Sequence, residues 1–479
     1  MRRAFFAVVG IAAWPVLGYA QQPAGPVPPA QNLAELPPLP PVEDPMLAPV
    51  PPPRRVLTSW SEAYQLLQAR STNLKTAVDQ VIEAEGQTIV AFAQYLPAFG
   101  GCAGGSSAPP GCINGTLTQQ LLTKTTAGVQ ENATGLPFST VLPVPNTATM
   151  SMTLSQDILN VQEFDQIFIS KIMEEANHLT VDDTRRTLEL GLANQIVSVV
   201  TAERSAEINR VGLRVALEQL ALTRRKEALG AAMSLDVVRA QQNAANARVT
   251  LVNGDEALRQ AREALGLALS IPEETGVSPD MKVDGLGQQA MQSCRAVDSI
   301  DARPDVSAAR KNLEVAKRNL RNTWYSFIPV ITAQSTLAAT TAVNGGYPNP
   351  TWSIGAAVSF PIFDGGTRYG TIKTQRAAAD VADQALQALR YQDIIQVEQA
   401  QRGIDVAQAS YNVALEQRDL AAQNDALTQK LWVRGQGTSV DLVTASEAHR
   451  QAEQSLVVAE FGVVKARIAA LLALSTCPS

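Results

Sequence analysis

Aromatic and charged residues are scarce in this sequence. Of its 479 residues, 5% are aromatic and 18% are charged. A large globular core usually contains more bulky side chains, whereas long helices that pack closely through small residues suit this composition. The net charge is −6, and no run of Lys and Arg is longer than three residues. These features argue against a nucleic-acid partner.

Side chains for catalysis and metal binding are scarce as well. The chain has two histidines, His178 and His449. It has no Gly-rich nucleotide loop, no His/Cys spacing of the zinc-binding kind and no Ser/His/Asp set of the catalytic kind. The sequence therefore predicts a protein that is not an enzyme and that uses no cofactor and no metal.

A long apolar run occurs only at the start of the chain. Arg2 and Arg3 precede an apolar stretch over 4–17, which small residues end at Ala20. This order predicts a signal peptide over 1–20 and export of the mature protein to the periplasm or the outer membrane. Residues 21–55 hold thirteen of the 28 prolines, which predicts an extended Pro-rich leader that serves as a tether.

The four cysteines fit an oxidising compartment. Cys102 and Cys112 flank a short loop of Gly, Ser and Pro, which favours a local disulfide between them. Cys294 and Cys477 would then be left to pair with each other. Three connectivities remain open at this stage, and the absence of a nearby His argues against a metal site.

The sequence after the leader contains an internal duplication. The segment 234–238 recurs in similar form at 439–443, and 267–270 recurs at 472–475. A shared offset of 205 positions predicts two structural repeats. A loop insertion over 98–146 separates the two predicted strands of the first repeat. The predicted boundaries are a first repeat over 56–270, a connector over 271–302, a second repeat over 303–475 and a C-terminal tail over 476–479.

Proline is missing from two very long segments, between Pro145 and Pro272 and between Pro361 and Pro478. Continuous helix requires such an absence. Each segment is interrupted once, at Gly230 and at 435–437, and a serine follows a few residues later. Because glycine ends helices and serine starts them, we predict two long coiled-coil hairpins with N-caps at Ser234 and Ser439.

Short segments between the helices alternate between apolar and small polar residues. The alternation is clear over 150–155 and over 352–360. It is typical of a half-buried soluble sheet and also of tilted strands that cross a bilayer. Four such strands cannot close a barrel, and an open edge cannot face lipid. If the strands lie in a membrane, several copies of the chain must therefore share one barrel.

The order of these features resembles the TolC-like outer-membrane factor family over nearly everything after residue 55. The residues that carry the resemblance are Tyr95-Leu96-Pro97, Arg303-Pro304-Asp305-Val306, Phe327-Ile328-Pro329, the segment 359–366 and the two turns 229–236 and 434–441. The resemblance implies a mainly α fold with a membrane β-barrel portion. Three chains would contribute four strands each to a twelve-stranded barrel, and their helical hairpins would form a periplasmic tunnel, or α-barrel.

This resemblance also implies a function and partners. The chain would be the outer-membrane exit duct of a tripartite efflux or type I secretion system, conducting substrates passively through an iris-like periplasmic gate. Its partners would be two further copies of itself, outer-membrane lipid, a periplasmic adaptor (membrane fusion protein) and an inner-membrane RND or ABC transporter. The alternative is a soluble periplasmic coiled-coil adaptor or scaffold, which usually has a single hairpin.

Site residues follow from the resemblance residue by residue. Asp236 and Asp441 would narrow the pore, although a carboxylate there also suits a helix N-terminus. Some relatives close the tip with an Arg and a Tyr; Gly437 and Trp432 stand near those places, so different closing contacts are expected. Cys294 would meet Cys477 near the connector. The expected adaptor contacts, where the glycines also serve the turns, are Leu229, Gly230, Ala231, Arg434, Gly435 and Gln436.

Overall fold

Two helical hairpins make up most of the chain. Each has one very long helix, of 68 and 67 residues, and a return helix of 35 residues. The computed structural model describes residues 42–105, 108–113, 130–131, 137–138, 148–340 and 349–477. The predicted signal peptide, most of the leader and most of the insertion over 98–146 lie outside the described residues.

The helices begin and end where the residue types dictate. The first long helix starts after Asn160, whose side-chain oxygen accepts from the Glu163 backbone N–H at 3.3 Å, and it contains no proline. A 68-residue helix is about 100 Å long at 1.5 Å per residue. The helices are α1 Trp60–Arg70, α2 Thr72–Tyr95, α3 Val161–Ala228, α4 Ser234–Ala268, α5 Leu286–Ser293, α6 Pro304–Tyr325, α7 Thr367–Val433 and α8 Ser439–Ala473.

The strands of the described residues form one larger sheet and three small pairs. The strands are β1 Arg55–Leu57, β2 Ala98–Gly105, β3 Ala108–Ile113, β4 Gln130–Glu131, β5 Pro137–Phe138, β6 Ala148–Leu159, β7 Thr275–Val277, β8 Arg295–Ala296, β9 Val330–Thr340, β10 Asn349–Ser359 and β11 Ser475–Thr476. The large sheet is antiparallel with the order β10-β9-β6-β2-β3. Among the described residues, no helix is long and apolar enough to cross a membrane.

The sheet differs from the sequence prediction in one respect. The sequence predicts four strands and a loop insertion over 98–146, but β2 and β3 lie within that insertion, and β3 is a fifth strand of the described sheet. Glycine and alanine fill six of the eight positions of β2, and β3 contains Pro109 and Pro110, so no apolar alternation marks either strand in the sequence. Their register places Cys102 opposite Cys112. The side chains of this pair lie outside the described residues, and their disulfide stays a prediction.

The end of the leader packs against a helix instead of hanging free as a tether. Asp44 forms an ion pair with Arg248 of α4 at 2.8 Å. Further along both segments, the Pro51 carbonyl accepts from Arg262 of α4 at 3.2 Å. Residues 44–51, which include a short 3-10 turn at Pro45–Leu47, thus contact α4 near both of their ends.

Arg303 joins three helices at the start of the second repeat. It is 1% exposed, and its guanidinium contacts Asp305 at 2.6 Å and Asp393 of α7 at 3.2 Å. It also donates to the Ala473 carbonyl at the end of α8, at 3.1 Å. Burial, with help from the charge of Asp305, raises the pKa of Asp393 to about 6. Loss of the guanidinium would leave the buried Asp393 without its ion-pair partner, whereas Asp305 would keep a contact of 3.8 Å with Arg186.

A second buried region surrounds the connector. Its apolar core contains Leu57, Ile196 of α3 and residues of α1, α4, α5 and α8. A disulfide joins Cys294, after α5, to Cys477, after α8, across a sequence separation of 183 residues. The small pair β8–β11 lies beside it. The C-terminal tail is therefore fixed to the connector by a covalent bond as well as by packing.

Glu189 of α3 is a fully buried acid beside this disulfide. Its Oε2 accepts from the Ser293 hydroxyl at 3.0 Å and lies 3.1 Å from the Cys294 sulfur. Burial raises the pKa of Glu189 from 4.5 to about 7. The folded chain therefore holds this proton more tightly than the unfolded chain does.

We predict that Glu189→Gln flattens the pH dependence of stability. Between pH 4.5 and about 7 the folded state binds the extra proton, so stability falls as pH rises through that window. The amide should raise the thermal midpoint above pH 7 and leave it nearly unchanged at pH 4.5. Thermal unfolding followed by circular dichroism at several pH values from 4.5 to above 7 measures this effect. Glu256→Gln, on the exposed face of α4, is the control. Parallel profiles for Glu189→Gln and the parent chain would contradict the assignment.

Candidate functional site at the hairpin tips

The two hairpin turns have the same backbone design. Gly230 and Gly435 have backbone φ angles of +73° and +75°, which residues with a Cβ rarely adopt. In the first turn the Ala231 N–H donates to the Lys226 carbonyl at 2.8 Å. In the second, the Gln436 N–H donates to the Leu431 carbonyl at 2.9 Å. Both turns thus end a helix with a glycine-centred cap.

The surface of both turns is exposed and partly apolar. Every residue expected to contact an adaptor, from Leu229 to Ala231 and from Arg434 to Gln436, is exposed. The side chains of Met233 and Leu235 are exposed beside them. Gly437 lies close to Trp432, since a Cβ there would be 3.2 Å from the Trp432 backbone nitrogen. The tips therefore present apolar groups and one cationic side chain on well-defined turns.

The N-caps lie one residue earlier than predicted. Met233 and Thr438 occupy the cap positions, and Ser234 and Ser439 are the first helical residues. The expectation of serine caps is therefore wrong. The Thr438 hydroxyl accepts from the Asp441 N–H, so the cap uses threonine where serine was expected. Asp236 accepts from the Met233 N–H, which satisfies one backbone donor at a turn whose cap side chain is apolar.

Asp236 and Asp441 occupy equivalent positions but make different contacts. Asp441 accepts from the Thr438 hydroxyl at 2.7 Å and from its N–H at 3.2 Å, and these bonds lower the pKa of Asp441. Asp236 also reaches the other hairpin, where its Oδ1 accepts from the Ser439 hydroxyl at 2.5 Å. Asp441 therefore stabilises only its own helix, whereas Asp236 stabilises its own helix and connects the two tips.

A lysine that the sequence did not single out joins α3 to α7. Lys226 is 7% exposed, and its ammonium nitrogen lies 3.4 Å from the centre of the Trp432 ring. The same nitrogen donates to the Trp432 carbonyl at 3.1 Å. Burial lowers the pKa of Lys226. Nothing in the sequence distinguishes it, because a basic residue in the last turn is ordinary at any helix C-terminus.

A polar cluster lies about two helical turns from this contact. Asp425 of α7 is buried and accepts from the Ser446 hydroxyl of α8 at 2.8 Å. Gln219 of α3 donates to the same hydroxyl at 2.9 Å, and His449 lies 3.3 Å from Asp425. The cluster links α3, α7 and α8 through side chains alone. The Asp236–Ser439 and Lys226–Trp432 contacts and this cluster make the junction between the two hairpins polar. Substitutions that change the charge of these side chains should therefore weaken the junction.

The comparisons with known proteins cover most of the chain. The family model described as "Outer membrane efflux protein" matches residues 63–270 and 297–474. Nodulation protein T of Rhizobium leguminosarum bv. trifolii is 23% identical over 289 residues, which are 59% of this chain and 62% of that protein. The probable efflux pump outer membrane protein TtgC of Pseudomonas putida is 21% identical over 65% of this chain and 66% of its own length. The chain thus matches slightly less than two thirds of the length of these relatives.

Solved structures show the same fold at low sequence identity. The outer membrane protein VceC of Vibrio cholerae aligns with a TM-score of 0.67 and 17% identity, covering 86% of this chain and 95% of its own. The CmeC outer membrane channel of Campylobacter jejuni aligns with a TM-score of 0.68 and 17% identity, covering 86% and 85%. The arrangement of hairpins and sheet described above is therefore shared with these proteins.

We predict that Asp236→Ala separates the tips and that Asp441→Ala does not. Both carboxylates accept from their own turn, where the loss of either costs about 1 kcal/mol of helix stability, but only Asp236 is also bonded to the other hairpin. Spin labels at Leu229 and Arg434, in labelled chains diluted with unlabelled ones, report the distance between the turns. Asp236→Ala and Ser439→Ala should broaden the distribution of distances between the two labels to the same extent. Equal broadening by Asp441→Ala would contradict the distinction.

Proposed function

The chain belongs to the outer membrane efflux protein family, and on that premise we propose that it is the exit duct of a tripartite efflux system. Substrates would pass through the duct from the periplasm to the exterior, and the duct itself would supply no energy. A periplasmic adaptor and an inner-membrane RND or ABC transporter would supply the energy and the substrate. A type I secretion system would use the same duct.

The observation that carries this proposal is the exposed apolar face of the sheet. Trp352 and Ile354 of β10 are each 71% exposed in the single chain, and Val358 lies on the same face. Across the sheet, Trp352 is opposite Leu337 of β9, which is opposite Met152 of β6. Such a continuous apolar face is unfavourable in water and suits the hydrocarbon of an outer membrane.

The free edge of the sheet supports an assembly of three chains. β10 pairs with β9 on one side only, so its other backbone edge is unpaired in the described part of the single chain. Lipid cannot satisfy those N–H and C=O groups, and another copy can. With β2, β6, β9 and β10 from each copy, three copies would make a twelve-stranded barrel. The α3–α4 and α7–α8 hairpins would continue it as the periplasmic tunnel.

The tips would serve as the gate of this tunnel. The contacts of Asp236 with Ser439 and of Lys226 with Trp432 hold the two hairpins of one chain together. Breaking both would let one hairpin swing away from the other, as the blades of an iris do. Asp236 and Asp441, repeated in each chain, would give the narrowed entrance a negative charge that favours cations.

The exposed turns would be the docking surface for the adaptor. The turns 229–231 and 434–436 are exposed and lie next to the contacts that hold the hairpins together. A partner that binds them could therefore pull on the gate directly. A soluble adaptor or scaffold role, the alternative from the sequence, is disfavoured because it would leave the apolar face of the sheet in water.

We predict that Lys226→Met opens the channel. The substitution replaces the buried lysine with an apolar side chain of similar length, and it removes the cation over the Trp432 ring. A buried cation–π contact contributes about 2 kcal/mol, which corresponds to about a thirtyfold change in the ratio of open to closed states. Conductance recorded in planar lipid bilayers measures this ratio.

Lys430→Met is the matched control for this experiment. Lys430 lies in the last turn of α7 and is exposed, so the same chemical change there removes no buried contact. It should leave the conductance at the level of the parent chain. Indistinguishable conductance for Lys226→Met, Lys430→Met and the parent chain would contradict the proposed gate.

A further inference from the structure

A histidine and two glutamates meet where α2 packs against α3, near the end of α3 that is remote from the tips. Glu85 comes from α2, and Glu174 and His178 come from α3. One ligand atom from each lies within 4.8 Å of the other two. We propose that these three side chains form a binding site for a divalent transition-metal ion such as Zn²⁺.

The helix geometry explains why the three groups converge. Glu174 and His178 are four residues apart, so they lie on the same face of α3, one turn from each other. The Thr88 hydroxyl of α2 donates to Glu174 Oε2 at 3.0 Å, which orients that carboxylate. Its second oxygen remains for a metal ion. Ligands of one ion with bonds of about 2.1 Å are about 3.4 Å apart, so small side-chain movements complete the site.

The electrostatics of the cluster favour a cation. Within the described part of the chain, neither Glu85 nor Glu174 forms an ion pair with Lys or Arg, although the neighbouring Glu175 pairs with Lys311 at 2.7 Å. Two carboxylates held close together repel each other, and a divalent ion between them removes that repulsion. Glu85 and His178 are exposed, so an ion can enter without any opening of the helices.

The donor set indicates the class of metal. One imidazole nitrogen and two carboxylate oxygens suit zinc and its first-row neighbours, whereas Mg²⁺ and Ca²⁺ prefer oxygen alone. Three protein ligands leave at least one position for water. Bound in this way, the ion would tie α2 to α3 about 15 to 20 Å from the sheet, because Glu85 and Glu174 lie ten and thirteen residues from the sheet-proximal ends of their helices.

The second histidine provides a contrast within the same chain. Asp425 lies 3.3 Å from Nδ1 of His449, and Glu453 lies 3.5 Å from its Nε2. Because the two carboxylates flank opposite ring nitrogens, one ion cannot bind the imidazole and both acids. His449 therefore has similar neighbours without the geometry of a metal site.

Zinc titration of the protein extracted from outer membranes, with any affinity tag removed, tests this site. Calorimetry with ZnCl₂ should give one saturable site per chain, and Co²⁺ should give visible absorption typical of nitrogen and oxygen ligands. His178→Ala and Glu85→Gln should each weaken binding at least about tenfold, since even supporting residues of metal sites have effects of that size. His449→Ala and Glu83→Gln, the matched controls, should bind zinc like the parent chain.

Two outcomes would overturn the proposal. One is the absence of a saturable site at one zinc per chain. The other is a site that persists in both His178→Ala and Glu85→Gln, which would mean an adventitious ion only. The exposed Glu85→Gln substitution preserves size and shape, so a loss of zinc binding in that variant with unchanged circular dichroism identifies a ligand and not a folding defect.

Discussion

An unpaired backbone edge cannot face lipid, and the rest of the proposed assembly follows from this constraint. β10 leaves one edge of the described sheet unpaired, and its apolar face is exposed. One chain cannot both pair this edge and place the apolar face in lipid, because four long strands are too few to close a barrel. At the other edge, β3 covers β2 over Gly101–Gly105. In a twelve-stranded barrel, β2 would have to exchange β3 for β10 of a neighbouring copy.

The strongest contacts lie near the connector and the weakest lie at the tips. Near the connector are a disulfide, the buried Arg303 with its carboxylates and an apolar core that includes α1, α3, α4, α5 and α8. At the tips, the hairpins are joined by a cation–π contact and a few side-chain hydrogen bonds. Segments held by few buried contacts open most easily. This gradient suits a tunnel that is rigid at its middle and opens at its end.

Much of this architecture was predictable from the sequence, because long helices depend on local rules. The absence of proline predicted α3 and α7, and the glycines predicted both turns. The extent of β2 and the presence of β3 were not predicted, because the glycines of β2 and the prolines of β3 give no apolar alternation. Lys226 was missed for a different reason. Its importance depends on Trp432, which is 206 residues away in the chain, and no local pattern reports such a contact.

The number of chains in the particle shows whether several copies share one barrel. The mass of the protein extracted from outer membranes in mild detergent, measured by native mass spectrometry, counts them. We expect a stable particle of three chains, because β2, β6, β9 and β10 from each of three copies make the proposed twelve-stranded barrel. A monomer or dimer, or a protein that never enters the membrane fraction, would contradict the shared barrel and with it the proposed duct.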